Sequence, residues 1–218
     1  MASRRVALVL AACVLLTGGT GASVLLGAGA AQAAACSGAV AVTTPCTDIG
    51  TLTFTAGSLT FTPPTVFTWA ATDTGVDQGV LDATAGHETM VVDDATGSGA
   101  GWNVTASSTQ FTTGTILLPT TALSLNGSTS LATAATIPTA ACSTATTCTV
   151  PTDSSVTYPV AIGTTAVKIY DALANTGLGS INLGLPGANP MGWWLTIPAN
   201  QKPGTYTSTI TLEVISAP

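Results

Sequence analysis

The sequence has little charge, and positive charge is the scarcer kind. Of 218 residues only four are Lys or Arg, against ten Asp or Glu, and there is a single His. Nucleic acid binding needs basic side chains that displace counterions from phosphates, and an anionic membrane surface attracts the same side chains. The composition therefore argues against both nucleic acid and anionic lipid as partners.

The N-terminus is typical of a secretory signal peptide. Arg4 and Arg5 precede an apolar run from residue 6 to about residue 31, and Ala31-Gln32-Ala33 is an A-x-A cleavage site. The run is long enough to span a bilayer, but interspersed glycines dilute it and small residues close it. We therefore predict a secreted protein, with no transmembrane segment in the mature chain.

The predicted domains are a signal peptide over residues 1–35 and one exported domain over residues 36–218. After cleavage only Lys168 and Lys202 remain as cations. Lipidation of Cys36 as the first mature residue is an alternative to simple export. In either case we expect the protein to lie outside the cell, at its surface.

The mature chain keeps an even number of cysteines, Cys36, Cys46, Cys142 and Cys148. In an exported protein such a set is typical of disulfides. The sequence does not fix the connectivity, although the short separations favour Cys36–Cys46 and Cys142–Cys148. A zinc site fits poorly because the C-x2-C spacing is absent and one His offers little else to bind. We predict neither a metal nor a cofactor.

Alternation of apolar residues with threonine predicts strands. Leu52 and Phe54 alternate with threonines, Leu59 and Phe61 repeat the pattern, and Ala56-Gly57 between them suggests a hairpin turn. Threonine suits this role because its β-branch favours an extended backbone while its hydroxyl faces water.

The C-terminal region shows the same period more clearly. One predicted face of this strand carries Tyr206, Ser208, Ile210, Leu212 and Val214, while threonines and Glu213 occupy the other face. A turn-rich connector, residues 198–204, separates it from a strand predicted at 193–197. We therefore expect a terminal hairpin.

Turn signals recur along the rest of the chain, and no mature segment has a convincing helical period. Further strands are predicted at residues 66–70, 89–92, 102–107, 115–118, 121–125, 156–162, 166–170 and 180–183. Residues 128–152, rich in Thr and Ala, are interpreted as a long disulfide-pinned loop. The predicted fold is an all-β, antiparallel β-sandwich, Ig-like or related, with long loops.

No catalytic constellation emerges from the motifs. His87-Glu88 begins like the zinc-protease motif H-E-x-x-H, but Val91 stands where the second His is required, so a surface or loop histidine is favoured. Carboxylates are concentrated in one region, where a glycosidase pair or a calcium site is the alternative to a solvated loop. These are Asp73, Asp77, Asp82, Glu88, Asp93 and Asp94. We favour the solvated loop and predict that the protein is not an enzyme.

The stretch GSGAGW, with Gly97, Gly99 and Gly101 ahead of Trp102, resembles a glycine-rich phosphate-binding loop. Such a loop must be followed by a helix whose amides meet the anion. Here the following residues alternate as a strand. The glycines are therefore predicted to form a turn that leads into this strand.

Residues 91–105 closely resemble the first motif of the WxL domain proteins of Gram-positive bacteria. In that family a strand that ends near an Asp, here Asp93, leads through a glycine-rich turn to Gly-Trp-x-Leu, here Gly101-Trp102-Asn103-Val104. Residues 204–218 resemble the C-terminal motif, in which a Tyr, here Tyr206, precedes a second Trp-x-Leu. This chain has Leu212-Glu213-Val214 at that place, and the composition suggests an actinobacterial relative.

The resemblance implies a cell-surface domain that associates non-covalently with the cell wall, and with peptidoglycan in particular. Aromatic faces stack on sugar rings, so Trp102, Trp193, Trp194 and Tyr206 are the candidate binding residues. For Trp102 we favour a place in the core. Neighbours on a strand point to opposite faces, so we expect one of Trp193 and Trp194 to be buried and the other exposed as a contact.

Two other functions remain as alternatives. A structural or adhesive module could bind other surface proteins by adding a strand at a sheet edge. A carbohydrate-active enzyme could use the acidic region between Asp73 and Asp94.

Overall fold

The computed structural model describes residues 50–82, 84–130, 135–144, 146–152 and 155–216. The chain divides into two compact units, Met1–Thr53 and Phe54–Pro218. The predicted signal peptide, the boundary at residue 36, Cys36 and Cys46 all lie outside the described residues. Within the described ranges, no helix has the length and apolar character needed to cross a membrane.

Strands dominate the second unit. The described residues form thirteen strands and one short 3-10 turn, Ala85–His87, and no α-helix. The strands are β1 (Leu59–Thr62), β2 (Gln78–Leu81), β3 (Met90–Asp94), β4 (Trp102–Ser108), β5 (Thr112–Thr113), β6 (Ile116–Leu117), β7 (Leu123–Asn126), β8 (Ala140–Cys142), β9 (Val160–Ile162), β10 (Val167–Ala172), β11 (Gly179–Leu183), β12 (Gly192–Ile197) and β13 (Ile210–Ser216).

The strands form three larger antiparallel sheets. The first has the order β1-β3-β11-β8, the second β10-β4-β13, and the third β2-β12-β7-β9, while β5 and β6 form a separate hairpin. Nearly all neighbours are distant in sequence, as in a β-sandwich whose connections cross between sheets. The prediction of an all-β, antiparallel sandwich is confirmed.

A single apolar core receives side chains from all three larger sheets. The first contributes Met90, Val92, Ile181 and Leu183, the second Trp102, Val104, Ile169 and Tyr170, and the third Leu123, Leu125, Trp193 and Leu195. Strand β13 packs one of its two faces against this core and exposes the other. Ile210, Leu212 and Val214 are half-buried while Thr211 and Glu213 are exposed, which confirms the predicted two-faced strand.

Two predicted hairpins are wrong. Residues 51–55 form no strand, and Leu52 and Phe54 are 85% and 88% exposed. Strand β1 pairs instead with β3, and the Gly57 N–H donates to the carbonyl of Ala95 at 2.8 Å. Alternation indicates an extended backbone, but it does not choose the partner strand.

The predicted C-terminal hairpin fails for the same reason. Strand β12 lies between β2 and β7 in the third sheet, whereas β13 pairs with β4 in the second. The connector over residues 198–209 therefore crosses from one sheet to another. Residues 66–70, predicted as a strand, have no strand partner either.

The predicted loop over residues 128–152 is partly a strand. Strand β8 lies within it and pairs with β11, with Cys142 opposite Ile181. The disulfide between Cys142 and Cys148 is present, which confirms the predicted pairing of these two cysteines.

Candidate functional site

The glycine-rich turn joins two sheets, because β3 belongs to the first and β4 to the second. Gly97, Gly99 and Gly101 all have positive φ, as expected for a turn. The carboxylate of Asp94 accepts the Thr96 N–H at 3.0 Å and the Thr96 hydroxyl at 2.6 Å. Asp94 therefore stabilises the start of the turn, whereas the predicted turn residue Asp93 pairs within the first sheet, opposite Thr60 and Ser180.

Trp102, the tryptophan that follows this turn, is fully buried, with 0% of its surface exposed. Its indole N–H donates to the carbonyl of Gly177 at 2.9 Å. Its ring stacks with the ring of Tyr170, with 6.4 Å between the two ring centroids. The preference for a core position is confirmed. The buried ring offers no face to a ligand at the protein surface.

Both tryptophans on β12 are buried, so the expectation that one of them is exposed is wrong. Trp193 faces the core and donates its indole N–H to the carbonyl of His87 at 3.2 Å. Trp194, on the opposite face, is only 5% exposed and donates to the carbonyl of Ser128 at 3.1 Å. The chain at Ser128, just beyond the end of β7, therefore covers Trp194 on the second face of the sheet, which the two-residue period cannot reveal.

A cleft of about 1010 Å³ opens beside this core. Its walls are residues 63–71, the C-terminal end of β12 with the connector that follows it, and the N-terminal half of β13. Four aromatic residues line it: Phe67, Trp69, Phe111 and Tyr206. We call this feature the aromatic cleft.

Trp69 is the largest aromatic side chain in the aromatic cleft, and it is only partly buried. Its indole N–H donates to the carbonyl of Trp193 at 3.0 Å. Its ring stacks with Phe67 at 5.9 Å and meets Phe111 edge-on at 5.6 Å. Trp69 is not among the binding residues predicted from the sequence, where residues 66–70 are predicted only as a strand. The preceding Pro63-Pro64 pair was the available signal, since Pro-Pro marks irregular structure.

Tyr206 is the one predicted binding residue that lines the aromatic cleft. Its hydroxyl donates to the carbonyl of Lys202 at 2.7 Å and accepts the Gln201 side-chain amide at 2.6 Å. These bonds are made within the connector between β12 and β13 and hold the Tyr206 ring against its earlier residues. The half-buried ring is thus held in a defined position.

A buried carboxylate supports the wall that carries Trp69. Asp82 is 0% exposed and accepts hydrogen bonds from the Thr68 N–H at 2.9 Å, the Thr84 N–H at 3.1 Å and His87 Nδ1 at 2.7 Å. Burial raises the pKa of Asp82, but these hydrogen bonds outweigh it and hold the pKa below its ordinary value. The interpretation of the acidic region as a solvated loop is wrong for Asp82, Glu88 and Asp94, which are all buried.

The aromatic cleft is poor in catalytic groups. Asp73 is the single carboxylate among the described residues that line it, and its Oδ1 accepts the Gly75 N–H at 2.9 Å. Across the ranges that the structure describes, no three His, Cys, Asp or Glu side chains are grouped closely enough to hold a metal ion. The arrangement offers aromatic surface and hydrogen-bonding groups for binding.

Comparison with protein families places these features in a known group. A model of the WxL domain, described as a surface cell wall-binding domain, matches residues 47–218. This range includes the Trp102 turn, the aromatic cleft and the tail with Tyr206. Neither the comparison with curated proteins nor that with solved structures gave a match. Since the family match covers most of the chain, this protein belongs to the WxL domain family of surface cell wall-binding domains.

Proposed function

We propose that this protein attaches non-covalently to the bacterial cell wall by binding peptidoglycan glycan strands in the aromatic cleft, without a catalytic step. Family membership supports an association with the cell wall. The ligand, the position of its site and the lack of catalysis are our proposal.

The observation that carries the proposal is the partly exposed pair Trp69 and Tyr206 in one cleft. The apolar face of a sugar ring stacks on an aromatic side chain, while the ring hydroxyls bind polar groups at the side. A volume of about 1010 Å³ is at the upper end of the roughly 300–1,000 Å³ typical of small-ligand sites. It suits an oligosaccharide better than a single sugar.

Polar groups around the aromatic cleft match such a ligand. Gln78, Gln201 and several threonines line it together with the aromatic residues. The Gln78 amide already donates to the carbonyl of Thr72 at 3.1 Å, which fixes its orientation. Hydrogen bonds from positioned amides and hydroxyls give orientation, while the aromatic surface provides most of the affinity.

The absence of catalysis is proposed from the composition of the aromatic cleft. Glycoside hydrolysis needs two carboxyl groups on either side of the scissile bond, and Asp73 is the only one that lines the cleft in the described part of the chain. Incubation of the protein with purified walls should therefore release no reducing sugar. Release that is lost in Asp73→Asn would contradict this part of the proposal.

The binding test uses the secreted protein and purified cell walls in a sedimentation assay. Trp69→Ala and Tyr206→Ala remove aromatic surface from the aromatic cleft, and each should weaken binding by at least about tenfold. Leu185→Ala is the matched control, because Leu185 is an exposed apolar residue that does not line the cleft. Circular dichroism and thermal unfolding establish that each variant is folded.

Two results would overturn the proposal. One is a wild-type protein that stays in the supernatant. The other is a pair of folded variants, Trp69→Ala and Tyr206→Ala, that sediment with walls as well as Leu185→Ala does. Because Trp69 and Tyr206 line the cleft from different segments of the chain, the test does not depend on one variant alone.

A second candidate function, binding of other surface proteins by strand addition, is favoured by the position of β13. This seven-residue strand lies at the edge of the second sheet, and β4 is its only partner among the described strands. An edge strand presents unpaired backbone groups to a partner. Analytical ultracentrifugation without any glycan distinguishes this function, since strand addition between copies makes assembly depend on protein concentration.

A further inference from the structure

We infer that the aromatic cleft selects a glycan that bears an anionic group, a carboxylate or a phosphate, through an ionic contact with Lys202. The inference rests on the proposed function, because it names the chemistry of the ligand in the same cleft. The relevant observations are the scarcity of cations in the chain, the position of Lys202 and the lack of an ion pair between Lys202 and any described carboxylate.

Cations are rare in this molecule, which has a net charge of −6. In the part of the chain that the structure describes, the only basic side chains apart from His87 are Lys168 and Lys202. Lys168 forms an ion pair with the buried Asp171, with 3.5 Å between Nζ and Oδ2. Of these two lysines, Lys202 alone forms no ion pair with a described carboxylate, and it lines the aromatic cleft.

The backbone beneath Lys202 is fixed on several sides. Its carbonyl accepts the Tyr206 hydroxyl at 2.7 Å, and Pro203 follows it. Earlier in the same connector, the Ala199 N–H donates to Asp77 Oδ1 at 2.8 Å and the Gln201 N–H donates to the Pro198 carbonyl at 3.0 Å. The backbone of the exposed Lys202 is thus held beside Tyr206 at the aromatic cleft. A sugar stacked in the cleft would lie within reach of the ammonium group.

The charge distribution favours an anion at this position. Asp73 is the one described carboxylate that lines the aromatic cleft, and it accepts the Gly75 N–H, while Asp77 accepts the Ala199 N–H of the connector. The chain as a whole is acidic and repels an anionic polymer, so Lys202 is the one described lysine at the cleft that attracts such a ligand. An ionic contact with Lys202 favours an anionic glycan over a neutral one once it is bound in the cleft, and it fixes the orientation of the ligand.

The test compares chemically matched ligands in equilibrium binding to the secreted protein. The first ligand is glycan strands freed of peptide, with their lactyl carboxylates exposed, and the second is the same strands with these carboxylates amidated. A glycerol-phosphate polymer is the third ligand. The wild-type protein should bind the acidic strands about two- to fivefold more tightly than the amidated strands, the range expected for one exposed ion pair.

Three variants locate the effect. Lys202→Gln should abolish the preference for acidic strands, while Lys168→Gln, which changes the net charge equally outside the aromatic cleft, should retain it. Asp73→Asn removes the nearby negative charge and should strengthen the preference. Raising the salt concentration from about 0.01 M to about 1 M should weaken the wild-type preference because ions screen an exposed contact.

The outcomes separate the inference from the proposed function. Equal binding of acidic and amidated strands, or an unchanged preference in Lys202→Gln, overturns the role of Lys202 while glycan binding stands. Lys202-dependent binding of the glycerol-phosphate polymer, tighter than that of the acidic strands, overturns the inference, because this polymer has no sugar ring to stack in the cleft and the anion alone would then decide binding. No binding to any of the three ligands overturns the inference and the proposed function together.

Discussion

The indole N–H of Trp102 donates to the backbone carbonyl of Gly177 at 2.9 Å inside the core. Gly177 has a positive φ of 68°, and a Cβ at this position would lie 2.6 Å from the indole nitrogen. The tryptophan of the first family motif is therefore seated against a glycine that no other residue can replace without a shift. The motif therefore has a structural role, because this contact joins the segment before β11 to strand β4.

Replacement of this tryptophan should lower the stability of the fold. Trp102→Phe keeps an aromatic ring but leaves the buried Gly177 carbonyl without its donor, at a cost of about 1–3 kcal/mol. Trp102→Ala also leaves a large cavity, at a cost of about 3–5 kcal/mol. Urea unfolding followed by fluorescence or circular dichroism measures both changes. A Trp102→Phe variant as stable as the wild type would refute the role assigned to the hydrogen bond.

The glycine-rich turn allows a matched pair of substitutions. Gly97 and Gly101 both have positive φ, so alanine at either site is strained by about 1–2 kcal/mol. At Gly97 a Cβ would meet nothing nearby, whereas at Gly101 it would clash with the carbonyl oxygen of Ala172. Gly101→Ala should therefore destabilise the protein by roughly 3 kcal/mol, well above the cost of Gly97→Ala. Equal unfolding free energies for the two variants would contradict the predicted clash at Gly101.

The fold class could be predicted from the sequence because it depends on local alternation. The period in residues 205–214 correctly gave the buried face of β13, since side-chain direction follows directly from an extended backbone. Strand partners could not be predicted, because pairing is decided by long-range packing. Thus β12 and β13, close in sequence, belong to different sheets.

The candidate site was harder to predict, because it is formed by segments without regular structure. Tyr206 was named from the family motif, but Trp69 lies on a stretch with no strand partner. One of Trp193 and Trp194 was expected to be exposed, yet Trp193 faces the core and the chain around Ser128 covers Trp194. Burial of a second sheet face depends on how the connecting chain returns, which local periodicity does not encode.

The disulfide should stabilise the fold without affecting the aromatic cleft. Cys142 is at the end of β8, and neither cysteine lines the cleft. The bond closes a loop with a sequence separation of 6, for which loop entropy predicts a contribution of about 2 kcal/mol. The double variant Cys142→Ser, Cys148→Ser should unfold at a lower urea concentration but sediment with walls like the wild type. A loss of wall binding in the folded double variant would show that this region contributes to the site.

The buried carboxylate Asp82 should make stability depend on pH in the acidic range. Hydrogen bonds from Thr68, Thr84 and His87 hold its pKa below the ordinary value of 3.8 in the folded protein, in spite of the burial that raises it. The folded state therefore binds a proton less readily than the unfolded chain. The resulting stabilisation is present in full above the ordinary pKa and is lost as the pH falls through the lower pKa of the folded state.

The variant Asp82→Asn isolates this contribution. At neutral pH it should destabilise the protein by about 1–3 kcal/mol, because a neutral amide is a weaker acceptor for the three donors. Between about pH 5 and about pH 2 its unfolding free energy should fall less steeply than that of the wild type. Since Thr68 is next to Trp69, loosening this anchor should also weaken wall binding at neutral pH while the protein remains folded. Parallel pH curves for the two proteins would show that Asp82 does not contribute to acid sensitivity.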